Sequence, residues 1–178
     1  ELKQAMVRWL YSEQLGRFAR GLLISEQDEM MTDLTLDSSL HGLYAFGAFA
    51  PGDEKVVKTI HTLKEGLWVK TSVGGMARYP GDYYFRVADN LHEVPGNPWI
   101  ITTLWLADWY IRRAEGIGDL KPARELIEWA AAKAVGTCSL PEQVHPYTGE
   151  PLSVVPLTWS HSTFVQTLIS YVAKRARL

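Results

Sequence analysis

The chain has 178 residues, of which 47% are hydrophobic and 21% charged, and its formal net charge is −2. That length allows one domain with a sizeable core. No basic or acidic block is present to meet nucleic acid or a membrane surface, and no apolar run approaches the roughly 18 residues of a membrane span.

Cys138 is the only cysteine, so no internal disulfide can form. A lone cysteine is compatible with a reducing, cytoplasmic setting. With no histidine beside it, Cys138 reads as a buried small hydrophobe. The chain opens at Glu1 rather than Met, no signal-peptide pattern is present, and its first residues already read as helix. It therefore reads as a piece of something longer.

In chain order, Leu2 to Ile24 reads as one long helix, with Leu15, Phe18, Ala19, Leu22 and Leu23 on one face and Arg17 and Arg20 exposed. SEQDEMMTDLTLD is polar and turn-rich, with a short strand near Met31 to Leu36. Asp37 or Ser38 caps a second helix, Ser39 to Phe49, whose packing face is Leu40, Leu43, Tyr44 and Gly47. Asp53 caps the next helix. Val56, Val57, Ile60 and Leu63 form its apolar stripe, and Gly66 is its stop. His41 and His61 read as surface or satisfied histidines.

A long connection follows, Leu67 to Gly96, and a loop of that length inside a compact domain is usually functional. It carries Arg78, Tyr79, Asp82, Tyr83, Tyr84 and Arg86. Arginine donates in a planar fork, aspartate accepts from paired hydroxyls and aromatic rings stack, so the set suits a polyhydroxyl ligand. A surface loop with ordinary ion pairs would use the same residues. Asn97 and Pro98 open a helix that is apolar nearly all round, Trp99 to Ile111, in which Asp108 is either a paired buried acid or, the favoured reading, on a narrow exposed strip. Leu120 to Ala134 is amphipathic, with Leu126, Ile127 and Ala130 inward. A second long loop, Thr137 to Leu157, carries Glu142 between Pro141 and Gln143. The last helix places Phe164, Leu168, Tyr171 and Val172 on one face.

The expected architecture is all-α, with about six helices as antiparallel hairpins. Long and short connections alternate. In an up-and-down array alternate connections share an end. The loops bearing Arg78, Glu142 and Ser25 to Asp37 should then lie at one end, and the turns at Pro51 and Gly116 at the other.

Three segments, GGMARYPGDYYF, PGNPWIITTLWLADWY and LPEQVHPYTGEPLSVVPLTWSHSTFV, occur in order. Together they resemble glycoside hydrolase family 15, the glucoamylases with their glucodextranase and trehalase relatives. DSSLHGLYAFGAF matches more weakly. The resemblance implies that residues 1–178 are the C-terminal half of an (α/α)6 catalytic barrel, with no second domain. It implies release of glucose from the non-reducing ends of α-glucans with inversion. Glu142 matches the general base. Arg78 and Asp82 match residues that hold the sugar, and Trp99 and Trp159 match aromatics of the pocket. His145 stands where many members carry an acid.

An inverting mechanism needs a second carboxyl group, about 6.5–9.5 Å from the first. The resemblance puts that acid in a tryptophan–glutamate motif upstream of Glu1, and no such motif is present here. The missing N-terminal half of the barrel is thus an expected partner beside the α-glucan, and the isolated chain is expected to be inactive. No metal or cofactor is needed for this chemistry, and the five histidines lack ligand spacing. The alternatives are a trehalase or glucodextranase of the same family and, from a different class, a non-catalytic helical module that binds glycans or protein.

Overall fold

The computed structural model describes all 178 residues. Helix α1 spans Leu2–Leu10 and stops there, because Tyr11 is already extended. Strands β1 (Tyr11–Ser12) and β2 (Arg17–Phe18) pair antiparallel around Gly16, whose φ of +62° is a left-handed turn position. A second hairpin pairs β3 (Gly21–Ile24) with β4 (Met30–Asp33). Its turn is closed by the Ser25 hydroxyl, which accepts from the Gln27 and Glu29 amides. The single long helix expected from Leu2 to Ile24 is therefore two hairpins after Leu10. The apolar spacing of Leu15, Phe18 and Leu22 mimics a helical stripe, and only Phe18 and Ala19 of that face are buried. Arg17, expected on the surface, is buried and donates to the Phe18 and Leu34 carbonyls.

Asp37 caps the next helical stretch, accepting from the Ser39 amide at 2.8 Å. A 3-10 turn, Ser38–His41, runs into the short helix α2, Gly42–Ala45. Gly47 sits at φ +79° with open space around it, so it ends the helix rather than packing a face. Helix α3 (Glu54–Leu67) starts at Asp53, which accepts from the Lys55 amide, and buries Val56, Ile60 and Leu63. Helix α4 (Ile100–Arg113) has Trp99 as its N-cap, two residues later than the Asn-Pro signal suggested. Helix α5 (Lys121–Ala131) turns Leu126, Ile127 and Ala130 inward. Helix α6 runs from Thr158 to Arg175.

Helix α4 is the centre of the array and packs against α5 and α6. One cluster of 26 buried residues joins α2, α3, α4 and α5, with Trp109, Tyr44 and Leu104 among its most enclosed side chains. Burial of a side chain of this size stabilises by about 1.5–3 kcal/mol. Asp108 follows the less favoured of its two readings, a half-buried acid paired with Arg112 at 2.7 Å. Burial pushes its carboxyl pKa up, against the pull of Arg112.

On α6 only Ser160 and Thr167 are buried, while Phe164 and Tyr171 pack against the main core. Leu168 and Val172, expected on that face, point out together with Val165 and Ile169. Cys138 is exposed instead of buried. It occupies a left-handed position, φ +61°, in a turn closed by paired bonds between Val135 and Ser139, which turns its side chain outward.

The ends of the array separate as the alternation of connections implies. Trp109 Nε1 donates to the Pro51 carbonyl, and an open cleft beside it is shared by Gly52, Glu115, Gly118 and Lys174. The other end of α4, about 20 Å away along the helix axis, receives the long loops. There the Ser38 amide donates to Arg78, Ala77 to Leu67, and Ile100 to Glu142. No helix is long and apolar enough to cross a membrane.

Candidate active site

A ladder of single backbone pairings crosses the loop end of the array. Trp68 pairs with Met76, Met76 with Trp99, and Trp99 with Gln143. Gln143 then pairs with Leu152, where β5 (Gln143–Val144) meets β6 (Pro151–Leu152). Two threonines at the start of α4 lock the middle rung. Thr103 accepts from the Met76 amide at 2.9 Å and Thr102 donates to the Met76 carbonyl at 2.6 Å. Every backbone group spent here is one the buried loop would otherwise leave unpaired. The ladder brings Arg78, Trp99 and Glu142 into one frame although they are far apart in sequence.

Arg78 leaves the ladder two residues after Met76. Its Nε and Nη2 donate to the two oxygens of Asp82 at 2.8 and 2.7 Å, a bidentate pair. The guanidinium also lies 4.7 Å from the Trp99 ring centre and 4.8 Å from that of Tyr79. Burial disfavours the charged guanidinium, but the Asp82 carboxylate outweighs it and holds the Arg78 pKa above the usual range. Asp82 is only 2% exposed, and besides Arg78 it accepts from the Tyr84 amide at 3.1 Å. Its carboxylate thus stands behind Arg78, and the open edge of the pair is arginine. Trp99, 3% exposed, is the floor under Arg78 and Tyr84 rather than a free wall.

Glu142 is placed from both sides. Its amide donates to Val154 and its carbonyl accepts from Ile100. The preceding residues are tied to α6, since Ser160 donates to the Pro141 carbonyl and His161 accepts from the Leu140 amide. Gln143 and Val144 are fully buried, whereas Glu142, just before the strand, stays partly open. Ser153 donates to Glu142 Oε2. Ser153 Oγ is also 3.3 Å from the Tyr84 hydroxyl. The Arg78 group and Glu142 therefore meet through Tyr84 and Ser153.

Ser153 was not legible as part of the site. It is held at φ +63°, and no local pattern marks such a position. Asn97 was legible only as a helix cap. Its amide instead donates to the Phe85 carbonyl at 2.7 Å and to Gln143 Oε1 at 2.9 Å, tying the two loops together. Asn97 Oδ1, Trp99 Nε1 and Gln143 Nε2 have no hydrogen-bond partner within the chain.

Trp159 belongs to a neighbouring set. It is 52% exposed in the first turn of α6 and packs 5.9 Å from Trp105, whose ring also stacks on His41 at 3.9 Å. His41, read as a surface or satisfied residue, is instead half-buried with Nδ1 unpaired. Burial and the nearby Arg112 lower its pKa to about 4. No group of three or more His, Cys, Asp or Glu side chains is placed to hold a metal ion.

No protein-family model matches the chain. It is 33% identical over 174 residues to an uncharacterized glycosyl hydrolase of Methanocaldococcus jannaschii, covering 92% of this chain and 25% of that protein. Among solved structures, a bacterial glucoamylase complexed with acarbose superposes with a TM-score of 0.76 at 20% identity, over 97% of this chain and 28% of that one. A glycosidase in complex with glucose gives a TM-score of 0.72 at 18% identity, over 96% and 42%. A family 15 glucoamylase from Hypocrea jecorina gives 0.58 at 16% identity, over 98% and 36%. The chain spans about a quarter of the length of its curated relative. By sequence the chain is similar to part of a glycosyl hydrolase, and its fold is that of the corresponding part of the solved glucoamylases.

Proposed function

We propose that this chain carries the general-base half of the site of an inverting α-glucan hydrolase of the glucoamylase type, which releases glucose from non-reducing ends. The observation that carries the reading is the state of Glu142. One carboxylate oxygen is held by Ser153, while the side chain stays partly open beside the Arg78 fork. In this role Glu142 takes a proton from the attacking water on the face of the sugar opposite the leaving group. Arg78 donates to sugar hydroxyls, seated on Trp99 and aimed by Asp82, and Trp159 lines the pocket from the α6 side. The general acid is assigned to the part of the longer relatives that this chain does not span, together with the remaining helices of the barrel.

The test is Glu142→Gln in the full-length protein that contains this chain, with proton NMR of maltotetraose digestion. The native protein should release β-glucose first. The variant should lose about 10²–10⁴-fold in turnover while still binding oligosaccharide. Normal turnover by the variant, or early α-glucose from the native protein, would overturn the assignment. Faster release from trehalose or isomaltose would move the substrate to the trehalase or glucodextranase type with the same residues in the same roles.

A further inference from the structure

A second aromatic surface lies on the flank, away from the Glu142 cluster. Between α3 and α5, over α4, runs a groove of about 430 Å³ whose walls include Lys64, Trp68, Tyr110, Glu125 and Trp129. Their side chains take no part in the Arg78–Glu142 network, although the Trp68 backbone forms the outer rung of the ladder beneath it. The groove is formed wholly by elements of this chain. Its volume falls in the range of small-molecule clefts.

The two indoles are fixed before any ligand arrives. The backbone passes beside them at Gly74 and Gly75, with φ of +66° and +93°. A Cβ on Gly74 would sit 3.0 Å from the Trp68 ring, and one on Gly75 only 2.5 Å from the Trp129 ring. Trp129 Nε1 donates to the Val73 carbonyl at 2.6 Å, which locks the ring orientation. Yet Trp68, Trp129 and Tyr110 all remain partly exposed. Rigid, half-open aromatics bind at low ordering cost. The polar edge is one cation and one carboxylate: Lys64, bonded to the Tyr110 hydroxyl at 3.1 Å, and Glu125. That balance favours a neutral ligand with both donors and acceptors. A pyranose has that character, with an apolar C–H face for an indole and hydroxyls for the edge.

We propose that this groove is a second glycan-binding site, which holds a neutral α-glucan chain on the flank of the protein. The choice of α-glucan rests on the function proposed above, whereas the preference for a neutral sugar chain rests on the groove alone. The test is affinity electrophoresis of the full-length protein, made inert by Glu142→Gln, in gels containing amylopectin or a soluble β-glucan. Amylopectin should retard the protein, and Trp68→Ala should weaken the apparent affinity about tenfold. Because an indole change can unfold the chain, the paired surface variant Lys64→Ala, Glu125→Ala is run beside it and should also weaken retardation.

Hydrolysis of maltose, which needs only the Glu142 site, should be unchanged when the paired Lys64→Ala, Glu125→Ala variant is placed in the active protein. Retardation that is the same in both groove variants as in their parent would overturn the proposal. So would an acrylamide-quenchable tryptophan fraction that Trp68→Ala leaves unchanged, since it would show the groove covered by polypeptide. Equal retardation by the β-glucan would overturn the α-glucan assignment. Groove-dependent retardation with no glucose released by the native protein would leave this site standing and sink the catalytic reading instead.

Discussion

Asp82→Asn separates two roles that a sugar-binding carboxylate can play. In the structure its carboxylate accepts two bonds from Arg78 and one from the Tyr84 amide, with almost no exposure. Asparagine keeps one acceptor oxygen and sets an NH₂ group against the guanidinium fork. One charge-assisted bond is lost outright, at about 1.5–3 kcal/mol, and the others are weakened. The Arg78 side chain is 35% exposed, so water takes up part of the deficit. The expected loss of stability is about 1–3 kcal/mol, read as a lower urea midpoint with an unchanged slope.

If Asp82 acts only by aiming Arg78, a second consequence follows. Arg78→Lys removes the fork but keeps the charge, and should cost kcat/KM about 10–100-fold in the full-length protein. Asp82→Asn should cost a similar factor, and the double variant little more than either alone. Effects that add to within about 0.5 kcal/mol would refute the positioning role and return Asp82 to direct contact with the sugar.

Gly75→Ala should destabilise the chain by about 2–5 kcal/mol, from overpacking against Trp129 and Pro98 together with a left-handed backbone. Gly118→Ala, which meets open space, should change the melting temperature little. His41 is held neutral, with its pKa lowered from 6.5 to about 4. The unfolded chain therefore takes up a proton that the folded chain refuses, and this residue's contribution declines as pH falls from about 6.5 to about 4, by about 3 kcal/mol in all. Urea midpoints at pH 7 and 4.5 should differ more for the native chain than for His41→Gln, and equal differences would remove His41 as the cause. The exposed apolar side of α6, with Val165 at 53%, Ile169 at 58% and Val172 at 57%, should drive self-association of the isolated chain. Ile169→Lys should shift sedimentation toward monomer at unchanged melting temperature, and a native chain that is already monomeric would contradict the prediction.

Which features could be read from the sequence follows from how local their causes are. Asp53, the stripe of α3 and the inward face of α5 depend on residues within a turn or two, and they stand as expected. Leu15, Phe18 and Leu22 show how the same spacing misleads. A helical period is also satisfied by two short hairpins whose turns hold Gly16 and Asp28 at positive φ, and periodicity holds no information on φ. Asp108 misled for a related reason, since its partner Arg112 lies one turn ahead, yet its burial is set by packing across elements.

The site divides in the same way. Arg78 and Asp82 are four residues apart and were picked out together, but as two sugar-holding residues rather than as a pair with Asp82 buried behind Arg78. Glu142 was legible from its motif, but its contact with Ser153 depends on the register of β5 and β6, and the link onward to Tyr84 depends on the Met76 rung. Trp105 is the extreme case. It reads as one more apolar position of α4, yet it joins His41 to Trp159 and so couples α2 to the first turn of α6. Four of the five residues picked out by the motifs therefore move with one backbone ladder, while Trp159 moves with α6. A change in how α6 packs on α4 would move Trp159 relative to the Arg78–Asp82 pair without disturbing that pair, so the placement of Trp159 depends on a helix contact rather than on any motif.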